Sequence, residues 1–483
     1  MVSALVVGSG PNGLAAAITL AHSGVEVVIA EADDVIGGGL RSAELTMPGL
    51  MHDHCAAIVP TAVSSPFMRS LNLESHGVTW AWAPIELVHP LDAGRAGVLH
   101  RSMTETMAGL GSDGQRWGTV FRTLARDYDL LADDILGPMV KMPQRPLRLA
   151  RFGAAAMLPA TALARMFTTD EGRGLFAGNA AHGWTPLTRP PSGAIGLVFG
   201  AVAHRYGWPC VVGGTGQLAA ALQGILHASG GRIETGVAIK TRAQVSGYDM
   251  VVFTTGPGLV LQLFGADMPA RFRRAYRRHR YGPAAFKIDL AVHQGIPWTN
   301  EMAGRAGTVH VCGGIDEVVA AERATGAGRM PERPFVLVAQ QAVADPTRSC
   351  GDLQPVYMYA HVPHGYGGDP TEAMLAQVER FAPGFRERIA MLVKRGPADL
   401  ERENANNVGG DINGGAMDLR PFLARPRFVP DPYWTGIPGV FLGSSSTPPG
   451  PGLHGMCGHL AAQAALRQAG LSGGSSRPPR RPR

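Results

Sequence analysis

The chain has 483 residues, of which 45% are hydrophobic, and its 44 basic and 38 acidic residues give a formal charge of +6. This length exceeds one typical domain of about 100–200 residues, so we expect two domains that share a large buried core. The basic residues are scattered except in 477–483, so no nucleic-acid-binding surface is predicted. We interpret 471–483 as a disordered basic tail.

The first predicted unit, residues 4–31, has the pattern of a strand, a glycine-rich turn, a helix and a second strand that ends in a carboxylate. Gly8 permits the tight turn, Gly10 lets backbone N–H groups approach a pyrophosphate, and Gly13 lets the helix and the strand pack closely. Glu31 stands near the spacing at which an acidic side chain binds a ribose hydroxyl and disfavours a 2′-phosphate. The unit therefore predicts a bound dinucleotide, FAD or NAD in preference to NADP. No secretory signal is recognised before it, so we expect a cytoplasmic protein.

A second glycine cluster follows the second strand and decides between these two dinucleotides. It contains Gly38 and Gly39, and Arg41 comes directly after it. A guanidinium at this place suits a fixed bidentate contact with a phosphate. Because an NAD-binding domain rarely needs that addition, the segment favours FAD, which we expect to be bound non-covalently.

The segment His52–Cys55 has side chains that can bind a metal or attach a flavin covalently. However, these side chains alternate along a short stretch, and no matching second set of ligands occurs. We therefore expect no metal and interpret the segment as a loop beside the cofactor or the substrate.

The middle of the chain predicts a second, α+β domain that covers the cofactor. Residues 104–136 and 147–167 have helical character, whereas 284–293, 335–341 and 356–362 have the pattern of strands. We expect an antiparallel sheet with helices on one side. The predicted division of the chain is a discontinuous Rossmann-like FAD-binding domain, 1–80, 205–265 and 425–470, and a substrate or cap domain, 81–204 and 266–424.

The apolar stretch 152–165 is too short to cross a bilayer, which requires about 20 apolar residues, and it contains Pro159. One interpretation of the predicted helix 147–167 is a cap over the substrate tunnel or a part of the core. The other is peripheral membrane contact through a surface that dips into lipid and admits an apolar substrate.

Near the C-terminus, residues 437–458 combine a short apolar run with the glycine-rich segment Gly443 to Gly458. Together with Gly8–Ser42, this segment resembles phytoene-desaturase-related FAD oxidoreductases, particularly the branch of pyridine nucleotide-disulphide oxidoreductase domain-containing protein 2. Residues 208–218 are similar to the internal W-P-x-G-G-x-G-x-L segment of that family. The resemblance therefore covers nearly the whole chain.

The resemblance implies positions along the cofactor. Val237 lies in the strand that passes the adenine side, and Gly256 lies in the turn after a later strand of the domain. The residues implied at the isoalloxazine end are Gly443, Gly452, His454, Gly455 and Met456. The chain departs from the family pattern at Pro449–Gly452, where a glycine turn is usual, and at Asn413, where a histidine is common.

A flavin carries out hydride chemistry itself, so the protein needs only to bind it and hold a C–H bond near its N5 atom. The resemblance implies dehydrogenation or desaturation of a lipophilic, isoprenoid-like or carotenoid-like substrate in an apolar tunnel. His454 and Cys457 are the first candidates for tuning the flavin or transferring a proton, and the alternative for both is packing beside the ring. No second complete dinucleotide unit is present, which leaves oxygen or a quinone-like carrier as the electron acceptor.

Two other functions stay open. An amine-oxidase-like flavoprotein usually carries an acidic residue after the late glycine, which the sequence Gly443–Thr447 lacks. A non-catalytic FAD-containing scaffold would instead use the cap domain to bind a partner protein. A disulphide reductase is not expected, because no two of the five cysteines are near neighbours in the sequence. The sequence indicates no oligomeric state.

Overall fold

A computed structural model describes residues 2–471, so the predicted disordered tail lies, apart from Leu471, outside the described residues. The strands in chain order are β1 Ser3–Val7, β2 Glu26–Ala30, β3 Ser42–Ala43, β4 His52–Asp53, β5 Trp80–Ala81, β6 Ile85–Pro90, β7 Ala96–Leu99, β8 Cys210–Val211, β9 Arg232–Glu234, β10 Met250–Phe253, β11 Ala284–His293, β12 Ala306–Val311, β13 Val336–Ala339, β14 Leu353–Val362, β15 Ile389–Arg395 and β16 Val440–Leu442.

The helices in chain order are α1 Pro11–Ala21, α2 Pro60–Val63, α3 Pro66–Ser70, α4 Met103–Gly109, α5 Gly114–Arg126, α6 Tyr128–Ile135, α7 Pro146–Ala156, α8 Ala160–Ala164, α9 Asp170–Ala181, α10 Ser192–Tyr206, α11 Thr215–Ala228, α12 Pro257–Phe264, α13 Ala270–Arg277, α14 Glu301–Gly304, α15 Ile315–Gly326, α16 Gln341–Ala344, α17 Thr371–Phe381, α18 Pro397–Glu403, α19 Leu419–Leu423 and α20 Met456–Gln468.

The first sheet has five parallel strands in the order β16-β10-β1-β2-β9. Its strands are short apolar runs because both faces are buried, as is usual in parallel sheets. Helices α1, α11 and α20 cover one face, and α12 and α13 cover the other. This is the predicted Rossmann-like α/β architecture. The sheet is assembled from three separate stretches of chain, while the boundaries of the two domains stay a prediction.

The second sheet has seven strands in the order β15-β11-β14-β13-β12-β6-β7. The expectation of an antiparallel sheet with helices on one side is wrong in two respects. β12 and β6 are parallel, and both faces are covered, one by helices that include α5, α9 and α10 and the other by α17. The physical reason is visible in β11, which is buried at nine successive positions and is therefore covered on both sides.

The two predicted helical stretches of this domain are interrupted. The first is divided into α4, α5 and α6, and the second into α7 and α8. Pro159 separates the latter two, because a proline cannot continue the hydrogen bonding of the preceding helix. Within residues 2–471, no helix combines the length and the apolar character that a membrane crossing requires.

Candidate functional site

The turn between β1 and α1 leaves an open space bounded by backbone. Gly8 has a φ of +99°, and a Cβ atom on Gly13 would lie 1.8 Å from the Gly8 carbonyl oxygen, so helix and turn are in direct contact. In contrast, a Cβ on Gly10 would meet no described atom within 4 Å. Helix α1 begins after Gly10 without a side-chain cap. Its first N–H groups are therefore available to an anion in front of this turn.

The second glycine cluster lies against the first. A Cβ on Gly38 would be 3.1 Å from the Cα of Gly10. At the end of β2, Glu31 accepts hydrogen bonds from the backbone N–H and the hydroxyl of Ser9, at 2.7 and 2.6 Å. The N–H of Asp33 donates to its other carboxylate oxygen at 3.0 Å. The acidic side chain is thus fixed beside the open space in front of α1.

Arg41 lies next to this space, but its guanidinium already binds groups of the protein itself. Its guanidinium donates to the carbonyl oxygens of Gly38 and Glu403, at 2.9 and 3.1 Å, and forms a salt bridge with Asp33. These contacts hold the second glycine cluster in place. A direct contact of Arg41 with a phosphate stays a prediction.

Two further predicted positions border the same region. The N–H of Val237 donates to the backbone carbonyl of Glu31 at 2.8 Å, which places Val237 beside Glu31. Gly256 is the residue before α12, and its N–H donates to the side-chain oxygen of Asn406 at 2.9 Å. A Cβ on Gly256 would lie 3.3 Å from the Tyr281 hydroxyl, so the backbone approaches the second domain closely here.

The C-terminal glycine segment returns to α1 and completes the site. A Cβ on Gly458, in the first turn of α20, would lie only 1.7 Å from the Asn12 carbonyl oxygen. A Cβ on Gly455, where φ is +68°, would lie 3.0 Å from Ala15, and one on Gly443 would lie 2.6 Å from Ala461. The two ends of the chain are therefore in contact. Gly458 and Asn12 were not predicted as site residues, although Gly458 is visible in the sequence as the last glycine of the motif.

His454 is buried in the turn before α20. Its Nδ1 accepts a hydrogen bond from the N–H of Met456 at 3.0 Å, while its Nε2 has no hydrogen-bond partner among the described residues. Burial lowers the pKa of His454 to about 4, although the carbonyl groups of Pro451 and Gly450 oppose the shift. The ring also lies beside Gly452, where φ is +137°. At neutral pH this is an uncharged imidazole that carries its proton on Nε2, on the side away from the Met456 N–H.

Cys457 is fully buried in the first turn of α20. Its thiol contacts the carbonyl oxygens of Thr447 and Gly450 at 3.5 and 3.3 Å. Burial raises the pKa of Cys457 to about 12, and the Gly450 backbone and Arg425 counteract this only in part. A protonated thiol that donates to carbonyl groups holds the turn together, which is the packing alternative considered from the sequence.

Burial also lowers the pKa of several other histidines to about 4, among them His89, His204, His279 and His459. In the unfolded chain they titrate near 6.5, so the unfolded state binds more protons as the pH falls. Their contribution to stability is complete above about pH 6.5 and decreases towards pH 4, by up to about 1.4 kcal/mol per pH unit for each group. We expect the melting temperature to fall steeply from pH 6.5 to pH 4.5 in circular-dichroism melts. A constant melting temperature over this range would contradict the uncharged state of these histidines.

The segment His52–Cys55 was predicted as a loop, but its first two residues form strand β4, which pairs with β3, and Lys287 of the second domain contacts it. Asp53 is fully buried and forms a salt bridge with Arg348. The Cβ of Cys55 lies 3.4 Å from the position that a Cβ on Gly39 would take, so the segment borders the second glycine cluster. Within residues 2–471, no group of three or more His, Cys, Asp or Glu side chains has the arrangement of a metal site.

The structure also places a buried ionic group next to this segment that sequence reasoning missed. The ammonium of Lys287 donates to the backbone carbonyl of Asp53 at 3.0 Å and to Asp289. Arg395 bridges Asp289 and Glu403. Burial lowers the pKa of Lys287, opposed by Asp289. Burial by itself would raise the pKa of Asp289, but Lys287 and its other partners hold it below the usual range.

An aromatic wall, Trp184, Tyr357 and Tyr359, stands beside this ionic group. The Trp184 and Tyr359 rings stack at 5.7 Å with 9° between their planes, and the two tyrosines stack at 6.4 Å. Trp184 has a φ of +51°, an unfavourable conformation for a bulky residue. Lys287 lies 4.6 Å from the centre of the Tyr357 ring, and Ile412 packs against the Trp184 end. Burial raises the pKa of both tyrosines, so the wall is uncharged at neutral pH.

Comparison with known proteins agrees with this geometry. The family model of the NAD(P)-binding Rossmann-like domain matches residues 6–72. Pyridine nucleotide-disulfide oxidoreductase domain-containing protein 2 of Rattus norvegicus is 24% identical, over 96% of this chain and 93% of the rat protein. The predicted resemblance is thereby confirmed.

Solved structures share the fold. An oxidoreductase from Methanosarcina mazei superposes with a TM-score of 0.64 at 15% identity, over 96% of this chain and all of that chain. Wild-type putrescine oxidase bound to putrescine gives a TM-score of 0.62 at 17% identity, over 97% of this chain and 99% of that chain. The chain thus combines a Rossmann-like domain with a second α+β domain in the arrangement of these oxidoreductase structures, and it is similar along nearly its whole length to pyridine nucleotide-disulfide oxidoreductase domain-containing protein 2.

Proposed function

We propose that this protein is an FAD-dependent oxidoreductase that binds its flavin non-covalently. The observation that carries the proposal is the contact between the two glycine segments from opposite ends of the chain, which share one cradle at the start of α1. The space in front of Gly10, the uncapped N–H groups of α1 and the carboxylate of Glu31 fit a pyrophosphate with an adjoining ribose. The relatedness to oxidoreductases supports the same conclusion.

The cradle suits an elongated cofactor. Bound flavin supplies two-electron hydride acceptance. Glu31 would hold the ribose, the α1 amides would hold the pyrophosphate, and the turn from Gly452 to Met456 would receive the ring system. The Nε2–H of the buried His454 is a hydrogen-bond donor at that turn. Its uncharged state supports a role in orienting a polar edge rather than in supplying a permanent positive charge.

The proposed substrate is a lipophilic molecule that loses a hydride from carbon. The aromatic wall supports this choice, because stacked uncharged rings favour flat or chain-like apolar ligands. The wall contacts Lys287, which donates to the Asp53 carbonyl in the segment beside the second glycine cluster. Oxygen or a quinone-like carrier would reoxidise the cofactor. A cytoplasmic or membrane-peripheral location fits such a substrate, and Met142 and Leu147, which are 90% and 80% exposed, support membrane contact.

Replacing Gly10 by alanine tests the cofactor site. The new methyl group would enter space that the protein itself leaves open, so we expect normal stability but at least about tenfold weaker FAD retention, since one methyl group in the cradle blocks close approach of a phosphate. Flavin bound to the purified protein is measured by absorbance, and acid precipitation shows whether it is released. Gly224→Ala in α11, another glycine whose Cβ would meet nothing within 4 Å, is the matched control. Equal yellow occupancy in both variants would refute the placement of the nucleotide.

Anaerobic reduction tests the enzymatic part of the proposal. The flavin-loaded protein is mixed separately with fractions of a lipid extract and with diamines, and bleaching of the flavin absorbance is followed by stopped flow. We expect one or more apolar fractions to bleach the flavin and air to restore the colour. A protein that binds FAD but is bleached by no fraction would be a non-catalytic scaffold, and bleaching by diamines alone would indicate an amine oxidase.

A further inference from the structure

A cavity of about 670 Å³ beside residues 418–428 is lined by an unusual number of guanidinium groups. We call it the arginine cavity. Its walls come from α13 and the residues after it, from α19 and the residues after it, and from 189–190. The arginines in the lining are Arg189, Arg271, Arg274, Arg278, Arg280, Arg420, Arg425 and Arg427.

Little in the described lining neutralises this charge. Asp418 is its one carboxylate, and Arg280 already forms a salt bridge with it. Burial lowers the pKa of His279 to about 4, so this ring is uncharged at neutral pH and neither adds to nor neutralises the charge of the arginines. Arg274 and Arg278 are exposed like charges four positions apart, an arrangement that weakens the fold by itself. A bound anion would relieve this repulsion.

Two arginines form the rigid floor of the cavity. Arg425 is buried and donates to carbonyl oxygens, among them those of Gly415, Ala416 and Ser445 at 3.0, 2.7 and 2.6 Å. Arg427 lies over the Phe272 ring at 3.6 Å, and its Nε is buried without a hydrogen-bond partner among the described residues. These contacts fix the floor, whereas the exposed arginines at the mouth are available to bind.

The mouth of the cavity continues into an apolar strip. Phe428 lines the arginine cavity and is 63% exposed. It also lines a shallow neighbouring depression together with Met139, Met142 and Pro430. Met142 is 90% exposed. Exposed apolar side chains directly beside a cationic cavity suit a molecule with an anionic head and an apolar tail.

We propose that the arginine cavity binds the phosphate or diphosphate head of an amphiphile, whose apolar chain lies along Phe428 and Met142. Guanidinium groups match phosphate oxygens in bidentate geometry, and several converging arginines favour a multiply charged head over a single carboxylate. The head belongs either to a free phosphorylated compound or to a phospholipid in a membrane. The arginine cavity is distinct from the space in front of α1, although Arg425 connects its floor to the C-terminal glycine segment through the Ser445 carbonyl.

The test compares the purified full-length protein with the triple variant Arg274→Gln/Arg278→Gln/Arg420→Gln. Inorganic pyrophosphate and dihexanoyl phosphatidic acid are titrated calorimetrically below the micellar concentration of the lipid. We expect the triple variant to bind both probes at least about tenfold more weakly, because charge-assisted hydrogen bonds are lost. The variant Arg122→Gln/Arg323→Gln/Arg329→Gln, which changes three exposed arginines elsewhere, has the same net charge and should bind as the unmodified protein does.

Two further arms complete the test. Phe428→Ser should weaken binding of dihexanoyl phosphatidic acid but not of pyrophosphate. Sedimentation with phosphatidylcholine vesicles, with and without phosphatidic acid, assigns the source: binding only to the phosphatidic acid vesicles identifies a membrane headgroup, and binding of the soluble probes alone identifies a free compound. Equal affinity of the two triple variants for both probes, or no binding to any probe, would overturn the proposal. The flavin absorbance of the same samples reports separately on the cofactor site.

Discussion

Replacing Gly458 by alanine is expected to destabilise the protein by more than about 3 kcal/mol and to abolish flavin retention. The new methyl carbon would lie 1.7 Å from the Asn12 carbonyl oxygen, and the neighbouring backbone atoms of Asn12 are only 2.6 and 3.0 Å away. Because these atoms belong to backbone and not to a flexible side chain, α20 would have to move away from α1. Both helices cover the same face of the five-stranded sheet, so the movement opens the core as well as the cofactor cradle.

Urea denaturation followed by circular dichroism and flavin absorbance measures both parts of this expectation. Gly224→Ala is the matched control, since it is a glycine in a helix of the same domain and its Cβ would meet nothing within 4 Å. There the substitution should raise stability by about 0.5–1 kcal/mol, because alanine restricts the unfolded chain. Gly458→Ala protein with normal stability and bound flavin would show that α20 and α1 do not approach as closely as described. Gly10→Ala, in contrast, is expected to lose flavin but keep its stability. Comparing the two variants therefore distinguishes residues that bind the cofactor from residues that hold the helices together.

The glycine-rich turn between β1 and α1 could be predicted from the sequence because it depends on local spacing. The glycines before α1 and the carboxylate of Glu31 belong to one continuous strand-turn-helix-strand unit, and no distant contact is needed to recognise it. The contact of Gly458 with Asn12 could not be predicted in the same way. It joins positions more than 400 residues apart, and only the resemblance to a known family indicated that the two ends meet.

The fold of the second domain was predicted less completely, for physical reasons. The apolar pattern of 284–293 predicted β11 with the observed bounds, but an apolar strand does not reveal whether one face or both are covered. The parallel pairing of β6 with β12 joins strands more than 200 residues apart. The pairing of strands that are distant in sequence depends on tertiary packing, which local patterns do not contain.

Lys287 and Asp289 carried a signal that was not used. They stand two positions apart in an otherwise apolar strand, so their side chains point to the same face, and a lone charge buried there would be costly. Opposite charges at such positions therefore predict a buried ion pair. The third member, Arg395, comes from β15, the neighbouring strand, and could not be identified until the pairing of β11 and β15 was known.

Replacing Asp289 by alanine is expected to destabilise the protein by about 3–5 kcal/mol, because two buried cations, Lys287 and Arg395, lose their common partner. Lys287→Met is expected to cost less, since Asp289 keeps its salt bridge with Arg395. The double variant has no Lys287 ammonium that the loss of Asp289 could leave without a partner. Its loss of stability should therefore be smaller than the sum of the losses of the two single variants.

Urea denaturation of the four proteins gives this coupling as a double-mutant cycle. Lys394→Met is a suitable control for the loss of a lysine, because Lys394 is on the neighbouring strand and its partner Asp369 is about half exposed, so the change should cost less than about 1 kcal/mol. If the stability losses of Asp289→Ala and Lys287→Met simply add, the two side chains do not interact in the folded protein. Lys287 also donates to the carbonyl of Asp53, beside the second glycine cluster. If the cycle is non-additive and the variants also retain flavin more weakly, the buried ion pair of the second domain stabilises the glycine cradle of the first domain.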